Sequence, residues 1–172
     1  MIATINDDCT ILTLSADALL AVSGKTIDSL MLKSRLNCSS TESSVDVSSL
    51  IGSIVDNQIE IPATLFYGDD TKTTYCDGIY YFNLNTYYYT EADSYLVEDS
   101  ACVLIGCELK CKVLDYYIET KDRKVWYLYY ALIIGSQCDS CYCTEMCSLY
   151  SELKILLNDN NISYTADGCG CS

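Results

Sequence analysis

The hydrophobic period of this chain changes once, and that change limits the possible folds more than any single motif does. Up to Ile105 apolar residues tend to alternate with polar ones, whereas beyond Lys124 they recur every three or four positions. Alternation puts successive side chains on opposite faces of a strand, and a spacing of three and four puts them on one side of a helix. Thr10 to Ser15 sets Leu12 and Leu14 against Thr13 and Ser15. Ile27 to Leu36 offers Leu30, Leu32 and, less regularly, Leu36 as inward positions, after a turn signal at Ser23-Gly24-Lys25-Thr26. Asn37 to Ser49 is rich in Ser, Thr and Asp and is expected to be an exposed connection. Gln58 to Pro62 alternates again, and Pro62, which has no amide proton, confines that strand to an edge or an end.

After a loop at Gly68-Asp69-Asp70-Thr71-Lys72, Asp77-Gly78 leads into Ile79 to Tyr87, a run dense in aromatic residues of high strand propensity. Tyr95-Leu96-Val97 and Ala101 to Ile105 are expected to pair with it as a hairpin across Thr90-Glu91-Ala92-Asp93. Short strands with turn signals between them predict an antiparallel β-sandwich over residues 1–110. A strand opening with Asp-Gly-x-Tyr resembles the sixth strand of immunoglobulin-like and fibronectin-like sandwiches, which gives Tyr80 the part of the corner tyrosine.

The remainder, 111–172, reads as a small Cys-rich helical domain with a C-terminal tail, so the expected class is α+β. Val125, Leu128, Tyr129, Leu132 and Ile133 form one helical stripe. Trp126, Tyr127, Tyr130, Ala131 and Ile134 make the same segment apolar nearly all round, and such a helix needs cover on more than one side. Met146, Leu149, Tyr150, Leu153, Leu156 and Leu157 form the stripe of a second helix, ended by the turn formers Asn158 to Asn161. The two make an antiparallel hairpin, preceded by a short helix from Cys111 to Ile118.

Composition narrows the function. The chain has no histidine, which removes His general bases, Ser-His and Cys-His pairs and His-bearing zinc sites. Its net charge of −14 argues against a binder of nucleic-acid phosphates and against docking on an anionic membrane. The first residues carry neither a basic patch nor an apolar run, so no signal peptide is expected and synthesis is placed in a cytoplasm. The sequons Asn37-Cys38-Ser39 and Asn161-Ile162-Ser163 then carry no meaning.

Half of the twelve cysteines lie from Cys138 onward, as Cys138, Cys141, Cys143 and Cys147 between the two helices and Cys169 and Cys171 at the end of the chain. Cys-x-x-Cys lets two sulfurs approach one tetrahedral ion, and the terminal Cys-Gly-Cys offers a second pair, so these six residues are the candidate ligands of a structural zinc. The competing reading makes Cys143 and Cys147, four residues apart, small core residues, with the rest as free thiols or late disulfides. Cys102 is expected to pack in the core, while Cys107 and Cys111 either join the cluster or bridge the two parts.

Sixteen tyrosines stand against two phenylalanines and one tryptophan. A ring with a polar tip suits half-wet surfaces and subunit contacts. Tyr87, Tyr88 and Tyr89, with Trp126, Tyr127, Tyr130 and Ile134, are therefore the candidate interface residues. The Tyr87–Tyr89 run also suits a sugar-stacking platform. Paired acids at Asp7-Asp8, Asp69-Asp70 and Glu98-Asp99 lack the pattern of a calcium loop and read as solvated loops.

The order of these parts carries a resemblance: an opening Asp-Cys-Thr-x-Leu-Thr strand, the Asp-Gly-Ile-Tyr strand, the Cys107-to-Cys111 exit, and a Cys-rich hairpin ending in Leu149-Tyr150-x-x-Leu153-Lys154-x-Leu156-Leu157. From Asp8 to about Leu157 the chain resembles the small head–tail connector and tail ring proteins of crAss-like and related short-tailed bacteriophages. The resemblance implies a non-enzymatic virion protein, made in the bacterial host cytoplasm, whose subunits form a homo-oligomeric ring. Portal and other connector or tail proteins would be its partners, with DNA passing nearby without specific binding and no membrane involved. The rival expectations are a binding module for carbohydrate or a receptor on a fibre or capsid surface, and an intracellular adaptor dependent on zinc.

Overall fold

A computed structural model describes residues 1–137 and 142–166 of the 172-residue chain. Its fold is α+β, with two antiparallel sheets followed by helices. The strands are β1 (Ile2–Ile5), β2 (Ile11–Ser15), β3 (Thr26–Leu36), β4 (Ser43–Asp46), β5 (Gln58–Pro62), β6 (Gly78–Tyr89) and β7 (Ser94–Ile105). A short helix α1 (Ala63–Tyr67) follows β5, and α2 (Cys107–Thr120), α3 (Lys124–Gly135) and α4 (Cys143–Asp159) follow β7. One sheet has the order β1-β2-β5 and the other β4-β3-β6-β7.

The alternation in the sequence explains which side of each strand is dry. Leu12 and Leu14 of β2 and Ile59 and Ile61 of β5 meet Leu30 and Leu32 of β3 and Tyr80, Phe82 and Leu84 of β6 in one cluster between the sheets. Each fully buried side chain of this kind contributes roughly 1.5–3 kcal/mol. Pro62 closes β5, which lies at the edge of its sheet, where its missing amide proton costs no ladder bond. Tyr75, fully buried just before β6, donates its hydroxyl to the Ile61 carbonyl at 2.9 Å and fixes the crossover between the sheets.

Odd-numbered residues of β6 face away from that cluster, and one end of this outward face is covered by the helices. Ile79, Cys102 and Leu104 join Leu109 and Val113 of α2, Val125 and Leu132 of α3, and Met146, Tyr150, Leu153 and Leu157 of α4 in a second buried cluster. The helical stripes expected from Val125 and Met146 onward thus find their cover on the back of the four-stranded sheet.

Three elements were not legible in advance. β1 forms at the start of the chain by pairing Ile2–Ile5 with Leu12–Ser15. β4 forms inside the Ser-rich stretch that was expected to be a bare connection, held by backbone pairing to β3. The preceding helix is longer than expected and starts at Cys107. Leu36, expected inward, is 38% exposed at the last position of β3, where it pairs with Tyr80.

Candidate functional site

Sulfur chemistry concentrates where the helices meet the sheet. Disulfides join Cys9 to Cys107, Cys38 to Cys147 and Cys102 to Cys143, with Cα separations of 6.5, 6.3 and 5.6 Å. Cys9 lies in the β1–β2 turn and Cys107 at the first residue of α2, so this bond ties the helices to the three-stranded sheet. The other two lie side by side. Cys143 and Cys147, one turn apart on α4, present their sulfurs on the same helical face. Cys102 meets one from β7 and Cys38 meets the other from the turn after β3. The Sγ atoms of Cys38, Cys143 and Cys147 all lie within 4.8 Å of one another. Such a group of thiolates has the softness and spacing to hold a metal when reduced.

Of the expected ligands, Cys143 and Cys147 are the two among the described residues. Cys138, Cys141, Cys169 and Cys171 lie outside the described residues. Cys143 and Cys147 do belong to a sulfur cluster, but their neighbours are Cys38 and Cys102. Cys102 is buried as expected, yet it is cross-linked to Cys143. Cys107 takes the bridging alternative, and Cys111 is also disulfide-bonded. Cys38 carried no sequence signal beyond its place in an apparent sequon. The turn holding it has both Asn37 and Cys38 in the left-handed region, at φ of 51° and 56°.

Helix α3 divides its apolar surface between the core and the outside. Val125, Tyr129 and Leu132 are buried. Trp126 is half-buried, with Tyr117 of α2 and Tyr129 meeting it edge-on at ring separations of 6.2 and 6.4 Å. Tyr127, Tyr130 and Ile134 form the opposite stripe, at 67%, 58% and 59% exposure. Ile118 of α2 and Ile155 of α4 are exposed on neighbouring helices. A groove of about 1090 Å³ between β1, the end of β7 and the helices is lined in part by Ile2, Ile5, Leu104, Leu114, Tyr129 and Ile133.

The tyrosine run separates by strand alternation. Tyr87 and Tyr89 face outward and are exposed, whereas Tyr88 points the other way and is buried. Tyr88 stacks on Tyr95 at 5.2 Å beneath the Lys25 ammonium, which lies 3.7 Å from the centre of the Tyr88 ring. It therefore does not belong to an exposed contact surface. On the outward face Tyr81, Asn83, Asn85, Tyr87 and Tyr89 form a row, with Arg35 stacked over Tyr81 at 4.5 Å.

A buried polar network joins the sheets to the helices. The Asp77 carboxylate, just before β6, accepts from the Leu109 amide at 2.7 Å and more weakly from the Glu108 amide at 3.4 Å. Tyr164 donates to Asp77 at 3.0 Å and shares a 2.6 Å hydrogen bond with the Tyr150 hydroxyl. Burial raises the Asp77 carboxyl to about 6 against the pull of these donors, and pushes Tyr150 up to about 12. Beside Asp77, at the same end of the β5–β6 connection, Tyr80 donates its hydroxyl to the Cys76 carbonyl, four residues upstream, at 2.9 Å.

No protein-family model matches the chain, and no curated protein matches it in sequence. Among the described residues, no helix is long and apolar enough to cross a membrane.

Proposed function

We propose that this chain is a non-enzymatic structural virion protein, a subunit of an oligomeric ring in the head–tail connector or tail of a short-tailed bacteriophage. The observation that carries this reading is the Tyr127–Tyr130–Ile134 stripe, an apolar helix face more than half exposed at each of these residues. Tyrosine-rich exposed surface of this kind is typical of subunit contacts. A ring needs two different surfaces that fit each other, and the apolar groove beside β1 is a candidate counterpart to the stripe.

The two sheets are read here as an immunoglobulin-like sandwich. Support comes from the strand orders β1-β2-β5 and β4-β3-β6-β7 and from the Tyr80 hydroxyl bound to the Cys76 carbonyl, the bond a corner tyrosine makes. The net charge of −14 suits a wall along which DNA slides without sticking, since like charge repels phosphate. Portal and neighbouring connector proteins are the partners this reading assigns.

Native mass spectrometry of the purified chain, alone and with a portal ring, tests the proposal. Ring assembly that is lost in Tyr127→Ser/Tyr130→Ser supports it. A solitary monomer with no affinity for portal rings overturns it.

A second reading has its own observation. The outward row of β6 sets the exposed rings of Tyr87 and Tyr89 beside Tyr81, Asn83 and Asn85, and the buried Oδ1 atoms of both asparagines have no hydrogen-bond partner among the described residues. Stacking rings with adjacent amides is the chemistry of a carbohydrate platform on a fibre or capsid surface. Glycan binding abolished by Tyr87→Ala would favour this reading over the ring.

A further inference from the structure

The geometry points to a zinc site made of Cys38, Cys102, Cys143 and Cys147, occupied when the two disulfides among them are reduced. This site stands independently of the ring reading.

The four sulfurs come from three places far apart in the chain: the turn after β3, the middle of β7, and two positions one turn apart at the start of α4. Three of them already lie within 4.8 Å of one another, and the fourth, on Cys102, is bonded to Cys143. In a tetrahedral zinc thiolate centre each bond is about 2.3 Å, which places the sulfurs about 3.8 Å apart along the edges. Opening two adjacent disulfides lets their sulfurs separate toward that spacing by side-chain rotation. Helix α4 supplies two ligands four residues apart on one face, β7 supplies Cys102 and the turn after β3 supplies Cys38, so the four sulfurs converge from three elements.

The surroundings fit a closed structural site. Cys102 is buried, Cys143 and Cys147 are half-buried, and Cys38 is exposed, so the ion has a route in along the Cys38 side. Four sulfur ligands select a soft or borderline ion over calcium or magnesium. The Cys9–Cys107 pair stands apart from this group and has no part in it.

Each disulfide takes two electrons and two protons from a dithiol reductant, which leaves as its own cyclic disulfide. The four thiols then release four protons as their thiolates bind one Zn²⁺. In reverse, the four sulfurs take up four protons as they release Zn²⁺, and two molecules of a small disulfide each accept two electrons and two protons as both protein disulfides re-form. In either state α4 stays tied to the back of the four-stranded sheet, by two covalent bonds when oxidised and by one metal centre when reduced.

The full-length protein, reduced with a dithiol and freed of it under anaerobic conditions, is titrated with Co²⁺. The expected result is one equivalent bound with the thiolate-to-cobalt bands of a tetrahedral sulfur site, bleached on adding Zn²⁺. Cys38→Ser and Cys102→Ser are each expected to weaken or abolish these bands, whereas Cys138→Ser, Cys141→Ser and Cys9→Ser/Cys107→Ser keep them. In the unaltered protein, Zn²⁺ is expected to slow alkylation of Cys38, Cys102, Cys143 and Cys147 at least about tenfold, because bound thiolates are withdrawn from reaction, while Cys76 is labelled at its usual rate. This readout does not depend on any variant folding. Absence of thiolate–cobalt bands overturns the site, and so does zinc protection that falls on Cys138 and Cys141 instead of Cys38 and Cys102.

Discussion

The Asp77 carboxylate receives the Leu109 amide at 2.7 Å, so the residue just before β6 also caps the first turn of α2. The first amides of a helix have no partners within it, and a carboxylate there meets both their hydrogen-bonding need and the positive end of the helix dipole. Here the cap comes from 32 positions upstream, through tertiary structure. It links the β5–β6 connection, α2 and the Tyr164 hydroxyl in one buried group.

Asp77 sets a pH dependence whose sign follows from its raised carboxyl. With a folded value of about 6 against 3.8 for the free group, the folded state binds the proton more readily between about pH 4 and 6. Its contribution to stability is therefore greatest below pH 4 and falls as pH rises toward 6, by roughly 2–3 kcal/mol in all. Asp77→Asn keeps an acceptor for Leu109 without the charge. Urea unfolding at pH 4 and pH 7 should show the variant gaining on the wild type as pH rises. A difference that stays constant between the two pH values would refute the assignment.

Gly78→Ala should be costly although the site is at a strand end. A β-carbon there would lie 2.5 Å from Leu36 Cδ1 and 2.9 Å from Asn37 Oδ1, with the backbone at a φ of 158°. Asn37 cannot easily retreat, since its Oδ1 accepts the Ile79 amide at 2.9 Å. A loss of about 1–3 kcal/mol is expected, from overpacking together with disturbance of that bond. Thermal unfolding of Gly78→Ala beside Gly52→Ala, where nothing lies within 4 Å, checks it, and equal melting temperatures would show that the close approach does not matter.

Tyr80→Phe removes one hydroxyl and little else. That hydroxyl binds the Cys76 carbonyl and lies 3.2 Å from the Tyr67 hydroxyl, which in turn accepts the Cys76 amide at 2.9 Å. Chemical denaturation should report a loss of about 1–2 kcal/mol, the range for a partly buried hydrogen bond with a partner left behind. A change near zero would mean that the β5–β6 connection is held by packing of the rings alone.

The Cys9–Cys107 bond spans 98 positions and joins the three-stranded sheet to α2. Replacing both by Ala should cost about 2–5 kcal/mol under oxidising conditions, because the unfolded chain regains the freedom the cross-link removed. Under reducing conditions the variant and the wild type should unfold at similar denaturant concentrations. A gap that persists after full reduction would assign the effect to lost packing around Cys9.

How much of this was visible beforehand depends on distance along the chain. β2, β3, β5, β6 and β7 were legible because alternation is a local property, checked within five or six residues. β4 was not, since Ser43–Asp46 has no apolar alternation and becomes a strand only through β3. For the residues offered as an interface, local spacing did not show which side of each element is exposed. Tyr127 and Tyr130 are outside, Trp126 is half-covered by Tyr117, and Tyr88 turns inward, a division set by which side of each element meets a neighbour. For the sulfur cluster, the sequence pointed to Cys143 and Cys147 but not to Cys38 or Cys102, while the other expected companions lie outside the described residues.

The amino-acid order alone determined the α+β class, the change from strands to helices and most of the buried positions, because backbone geometry turns local spacing directly into faces. Only the tertiary structure decided that Cys38 meets Cys147, that Cys102 meets Cys143 and that Asp77 caps α2. Those partners are up to 109 positions apart, and they meet because the helices dock on the back of one sheet, a placement fixed by complementary surfaces and by no local period.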